Sequence, residues 1–147
     1  MRLAEYMAKA CDPKTLTVHL IMEDAVFTCA PETAGVTVAQ VLTERNFGSV
    51  PVVKEDKTLV GLISEFDLLK AMTDGKDLRK ITAEDIMTPQ EKLVTVTEET
   101  PVQDLIRILQ ERHLIRVPVV KGKTLVGIVA RRDVVFGYVK ALARYWP

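Results

Sequence analysis

The pentapeptide KTLVG occurs twice, at Lys57–Gly61 and Lys123–Gly127, each time after the apolar run VPVV that begins at Val50 and at Val117. An internal duplication of this kind constrains the architecture before any single element is assigned. Aligning Pro51 with Pro118 gives an offset of 67 (118 − 51), and Gly61 with Gly127 gives 66 (127 − 61). The one-residue difference falls between 54–57 and 121–123, a polar stretch that reads as a turn between strands, where a length change disturbs least. Upstream, Ile21-Met22 aligns with Ile86-Met87, and 26–29 with 93–96. The repeat is about sixty residues, too small to bury a good core alone, so two halves are expected to pack face to face.

Within each repeat the apolar period switches between helix and strand. Val102, Leu105, Ile106 and Leu109 mark one face of a helix, and Val38, Val41 and Leu42 its counterpart. Thr100-Pro101-Val102-Gln103 reads as a capping box with proline in the first helical position, and Thr37-Val38-Ala39-Gln40 as a similar box. Strands are expected over 50–53, 58–63, 117–120 and 124–129. The resulting order is β-α-β-β-α per half, with a right-handed crossover and a hairpin making a small three-stranded sheet. Two further helices flank the duplication: Leu3, Tyr6, Met7 and Ala10 form one stripe, and Val135, Tyr138, Val139 and Leu142 the other, followed by Tyr145-Trp146. They either close the core and cover sheet edges, or pack against a second copy of the chain. The expected division is a helix and linker at 1–16, a first repeat at 17–77, and a second repeat with the last helix at 78–147.

Twenty basic and twenty acidic side chains cancel, so no net field draws the chain to nucleic acid or anionic lipid. No run approaches the roughly 18 apolar residues of a membrane span, and the first residues lack the apolar core of a signal peptide. Cys11 and Cys29 supply neither a disulfide framework nor metal-ligand spacing, which points to a cytoplasmic address with both thiols reduced. His19 and His113 have no paired ligands, no nucleophile lies beside a base, and no glycine-rich phosphate loop is present, so an enzyme is not expected.

The two copies diverge where a strand enters a helix. Ser64-Glu65-Phe66-Asp67 is an S-x-x-D box, and the remaining first-turn N–H groups can receive a phosphate. Its counterpart is Ala130-Arg131-Arg132-Asp133. Alanine at the cap forfeits about 1 kcal/mol, and arginines in the first turn oppose the helix dipole by about 0.3–1 kcal/mol each. That choice makes sense if Arg131 or Arg132 meets an anion, although long arginines also reach solvent at no cost.

The Ile-Met lead-in, the short strand before a helix, the x-V-P-V-V strand and the G-h-h-x-x-x-D junction, each present twice and in order, resemble the cystathionine β-synthase (CBS) domain family. The resemblance covers about 17–140. It implies an α/β (α+β) fold in which two repeats pair around a pseudo-two-fold axis as a Bateman module, often dimerising into a disc and binding adenosine-containing ligands in two clefts. It also implies that Ser64 approaches the ligand, that Asp67 and Asp133 bind ribose hydroxyls, and that Arg116, just before Val117-Pro118, meets the phosphate. One cleft would unite Ser64 and Asp67 with Thr88, Val94, Ile115 and Arg116. The other would unite Asp133, Arg131 and Arg132 with Val26, Thr28, Ser49 and Val50. Aliphatic side chains such as Val94 and Ile115 can sandwich a purine while a carboxylate accepts from two ribose hydroxyls at once.

The expected function is a regulatory module that senses an adenine nucleotide (AMP, ADP or ATP) and signals to a separate protein, as a homodimer without a required cofactor, metal or membrane. The alternative is a structural dimerisation module whose clefts are vestigial or take S-adenosylmethionine or an NAD-like compound. Ala130, and a serine at 49 where the other half has Arg116, favour the alternative modestly.

Overall fold

A continuously buried run makes β1 (Ser49–Val53) and an alternately buried one β2 (Leu59–Ser64), and the two run antiparallel with Val50 opposite Ile63 and Val52 opposite Gly61. Before and after them come helices α1 (Val18–Ile21), α2 (Gly35–Glu44), α3 (Glu65–Thr73) and α4 (Ala83–Ile86). The second half contributes β3 (Thr88–Pro89), a 3-10 turn at Gln90–Lys92, α5 (Val102–Glu111), β4 (Arg116–Lys121), β5 (Thr124–Ala130) and α6 (Arg131–Ala143). The computed structural model describes the backbone of 15–45 and 47–143, with side chains through 141. The stripe from Leu3 to Ala10, the Leu142 side chain and Tyr145-Trp146 lie outside the described residues.

The chain divides into two compact units, one made of Phe27–Leu93 with Lys123–Leu125, the other of the described parts of Met1–Val26, Val94–Gly122 and Val126–Pro147. The first has a core of Val38, Leu42, Val50, Val52, Ile63, Leu68 and Ile86. The second packs Leu16, Val18, Ile21, Met22, Leu105, Val117, Val119 and Val129.

The units are offset from the sequence repeats because each Ile-Met segment crosses over the glycine of the other repeat. In the first unit β3 follows Met87 and pairs antiparallel with β2, Gly61 opposite Pro89 and Leu62 opposite Thr88. A Cβ on Gly61 would lie against Met87 Sδ and 2.9 Å from the Thr88 carbonyl oxygen. In the second unit Glu23 and Ile128 exchange two backbone hydrogen bonds of 2.9 Å, and a Cβ on Gly127 would stand 2.8 Å from the Glu23 carbonyl oxygen. Both glycines of the repeated pentapeptide are therefore required by a close backbone approach rather than by a turn.

The same crossings explain why neither Thr37 nor Thr100 caps its helix, contrary to the sequence reading. The N-caps are Ala34 and Pro101, with no side-chain cap hydrogen bond. First-turn N–H groups are instead taken by carbonyls of the lead-in segments: Gly35 donates to Ile81 and Val36 to Leu78, while Val102 donates to Leu16. The Thr100 hydroxyl accepts from the Thr97 N–H at 3.1 Å, and Thr33 accepts from Ala30 at 3.0 Å. These turns also cut short the first strand of each repeat. It is reduced to one parallel bridge, Cys29 with Val52 and Val96 with Val119, so the expected third strand is present only as a single residue pair.

Gly127→Ala is expected to destabilise the protein by about 1–3 kcal/mol, because the Glu23 backbone must retreat to admit the methyl group. Urea unfolding measures this directly; an unchanged midpoint would show that the crossing is looser than the geometry states.

Candidate functional site

The S-x-x-D box at the start of α3 forms fully. Ser64 Oγ accepts from the Asp67 N–H at 3.3 Å, and the Ser64 N–H donates back to Asp67 Oδ2 at 2.8 Å. The Ser64 hydroxyl also donates to Oδ2 at 3.0 Å, and Thr88, delivered by the β3 crossing, donates to Oδ1 at 3.0 Å. Ser64, Asp67 and Thr88 form one hydrogen-bonded cluster. A carboxylate offers about four acceptor sites, so three donors leave about one, and two of the three are rotatable hydroxyls that a ligand diol can replace.

Ser49 belongs to the same neighbourhood, since it stands opposite Ser64 in the β1–β2 register. It is the one buried polar residue of the core, 8% exposed, and its hydroxyl has no hydrogen-bond partner among the described residues. Val50 is wholly buried, yet with Thr28 it lines a hollow of about 210 Å³ against α2, bounded also by Phe27, Cys29, Val38 and Val41. The Phe27 ring lies 6.1 Å from that of Phe47 and 6.0 Å from the Arg45 guanidinium carbon. Burial pushes the Cys29 thiol up to about 11, which leaves it an inert wall rather than a nucleophile.

The second unit holds Val26, Val94, Ile115, Arg116, Arg131, Arg132 and Asp133. At its junction only half a box exists: the Ala130 N–H donates to Asp133 Oδ2 at 2.8 Å, and alanine returns nothing. The Arg131 N–H donates to the Ile115 carbonyl at 2.9 Å, which seats the start of β4, with Arg116, beside this junction. Ile115 is 50% exposed, Val94 packs partly against the core, and the Arg131 and Arg132 side chains are exposed. Arg131 also borders a hollow of about 450 Å³ with Ile106, Leu109 and His113.

Glu23 is the residue the sequence reading missed. It occupies, after Met22, the position that Thr88 occupies after Met87, so the alignment of the lead-ins contained the signal. Where Thr88 gives Asp67 a donor, Glu23 presents Asp133 with a like charge. Burial raises the Asp133 carboxyl above its ordinary value of 3.8, the Glu23 charge raises it further, and the Ala130 N–H and Arg132 oppose the shift.

Elsewhere, His19 Nδ1 meets the Glu98 carboxylate, and His113 follows α5 with a φ of 52°. Among the described residues there is no cluster of three or more metal-ligating side chains, and no helix long and apolar enough to cross a membrane.

The CBS domain model matches this chain twice, over residues 18–74 and 83–140. The chain belongs to the CBS domain family. Among curated relatives, the CBS domain-containing protein CBSX3 of Arabidopsis thaliana, a mitochondrial protein, is 37% identical over 97 residues, which is 64% of this chain and 47% of that protein. Two further relatives are covered to 62% of their length, so this CBS pair spans about half to three-fifths of the curated proteins it first matches. A crystal structure of CBSX2 in complex with AMP superposes with a TM-score of 0.74 at 28% identity, covering 84% of this chain and 96% of that one. The CBS domain pair of protein MJ0100, in complex with 5'-methylthioadenosine and S-adenosylmethionine, gives 0.75 at 28% identity, covering 86% and 98%. The mixed helix and strand fold is that of CBS pair proteins.

Two outcomes follow from the junctions. Ser49→Ala should leave stability unchanged or raise it by about 1 kcal/mol, because it removes an unsatisfied buried hydroxyl; a loss in urea unfolding would reveal a hydrogen bond there. Asp133→Asn keeps an acceptor for the Ala130 N–H and removes the charge. A carboxyl raised on folding lowers stability above its folded value, and that penalty fades as pH falls through this value toward 3.8. The asparagine variant should therefore be more stable than the parent at neutral pH, by a margin that shrinks on acidification. A margin independent of pH would refute the assignment.

Proposed function

We propose that this CBS pair is a ligand-sensing regulatory module that binds an adenosine-containing compound and signals to a separate protein. The Ser64–Asp67–Thr88 cluster carries the reading: a fixed carboxylate with two exchangeable hydroxyl donors suits the vicinal diol of a ribose. The likeness to CBS pairs solved with AMP, 5'-methylthioadenosine and S-adenosylmethionine supports it, since all three ligands contain that ribose. In the finer reading the ligand is AMP, ADP or ATP, Val94 and Ile115 face the purine, and Arg116 balances phosphate charge in a cytoplasmic homodimer. Binding regulates only through a difference in affinity between two conformations of the module.

A second reading, a structural dimerisation module whose clefts are vestigial or take S-adenosylmethionine or an NAD-like compound, is favoured by the other junction. Glu23 near Asp133 repels a phosphate, and Ala130 offers no hydroxyl like that of Ser64.

Calorimetric titration with AMP, ATP and S-adenosylmethionine separates the two. Saturable binding that Asp67→Ala weakens by about ten- to a hundredfold, the loss of charged hydrogen bonds, supports sensing. No heat from AMP or ATP, with the protein folded, supports the second reading, and heat from S-adenosylmethionine alone gives it a non-nucleotide cleft. Arg116→Ala should weaken AMP far more than adenosine; equal losses would remove the phosphate role from Arg116.

A further inference from the structure

Two helices of the second unit bring one side of their sequence period to the same hollow. Ile106, Leu109, Gln110 and His113 recur at i, i+3, i+4 and i+7 along and just beyond α5. Arg131, Val134 and Val135 recur at i, i+3 and i+4 along the start of α6. α5 packs against α6, and these side chains line a hollow of about 450 Å³, the size of a small-molecule site. Leu109 and Val134 are buried, Ile106 is half-buried, and Val135 extends the apolar wall outward. Gln110, His113 and Arg131 complete the lining and are exposed.

The polar lining offers a guanidinium, an imidazole and an amide, and no carboxylate. Among the described residues none of these three side chains makes a hydrogen bond or ion pair, and Asp133, the acid on the same turn as Arg131, is held by the Ala130 N–H. Two of the three are also unfavourable where they stand. Arg131 occupies the first turn of α6, against the helix dipole. His113 has a φ of 52°, in the left-handed region that favours glycine. It ends α5 in a paired closure: its N–H donates to the Gln110 carbonyl at 3.4 Å, and the Leu114 N–H to the Leu109 carbonyl at 3.0 Å. The VPVV alignment places Asn46 at the matching position of the first repeat (113 − 67), and asparagine tolerates that conformation better than most side chains. A costly histidine and a costly arginine thus border one apolar hollow. A bound anion with an apolar body accounts for both.

The geometry points to the hollow between α5 and α6 as a binding site for an amphipathic monocarboxylate, its carboxylate on Arg131 and His113 and its hydrocarbon part on Ile106, Leu109, Val134 and Val135. A guanidinium takes a carboxylate through two parallel N–H donors, and an imidazole N–H adds a third. Inorganic phosphate would leave the aliphatic walls unfilled, and an uncharged alcohol would leave the guanidinium unpaired. The site is separate from the Ser64–Asp67–Thr88 cluster, which belongs to the other unit, and does not depend on the adenosine reading.

Calorimetric titration of the full chain with octanoate tests this, with 1-octanol, acetate and inorganic phosphate as comparison probes and circular dichroism confirming that each variant is folded. Octanoate should bind saturably with a dissociation constant of about 0.1–1 mM, and each comparison probe at least about tenfold more weakly. Arg131→Gln should weaken octanoate about tenfold or more and leave 1-octanol unchanged. His113→Asn, which keeps a side chain suited to the left-handed conformation, should weaken octanoate about threefold or more. Arg132→Gln should change nothing, since Arg132 does not line the hollow. No saturable octanoate binding, or equal binding of octanoate and 1-octanol, overturns the proposal. Equal losses from Arg131→Gln and Arg132→Gln would reveal diffuse attraction to a basic surface, which also refutes it. Displacement of octanoate by AMP would place the acid in the adenosine site and refute the assignment to this hollow, whereas failure of AMP to bind at all leaves the octanoate result standing.

Discussion

Two backbone crossings, one over Gly61 and one over Gly127, hold the architecture together. At each, a strand that would otherwise be an edge meets a second backbone at hydrogen-bond distance, and only the missing side chain of glycine permits it. Because the segment that crosses comes from the other repeat, neither repeat is complete by itself. The Met22 and Met87 side chains lie over the glycines, and the carbonyls of the lead-in segments take the first helical N–H groups of α2 and α5. Cores, helix starts and sheet edges all follow from this exchange.

The crossings also deliver the functional asymmetry. Whatever residue follows the lead-in methionine arrives beside the carboxylate of a strand-to-helix junction. Thr88 completes a hydrogen-bonded cluster around Asp67, whereas Glu23 adds a negative charge near a partly buried Asp133 whose cap partner is Ala130. One carboxylate is held ready by exchangeable donors; the other is desolvated and repelled. The two junctions therefore offer different chemistry, and the arginine pair at the second is exposed.

The duplication, the paired strands, the buried faces of α2 and α5 and the Ser64 box were legible in sequence, because each rests on local periodicity or on residues three apart; on α6 the stripe read from sequence is not the buried face, since Val135 and Val139 are exposed while Val134 and Ala141 are buried. The grouping of Ser64 with Asp67 was legible for the same reason, and family resemblance added Thr88. The boxes at Thr37 and Thr100 were misread because local chemistry suggested a side-chain cap where a distant carbonyl does the work. Glu23 escaped because its meaning depends on a partner 110 positions away (133 − 23).

By itself the sequence determined which segments become strands and helices, which faces are apolar, and that two unequal copies of one plan exist, since propensity, pattern and repetition act along the chain. Only the tertiary structure decided which copy supplies the crossing strand, which carbonyls satisfy which N–H groups, and which side chain arrives beside each carboxylate. Those outcomes depend on backbones meeting within about 3 Å across large sequence separations, a condition that no local pattern encodes.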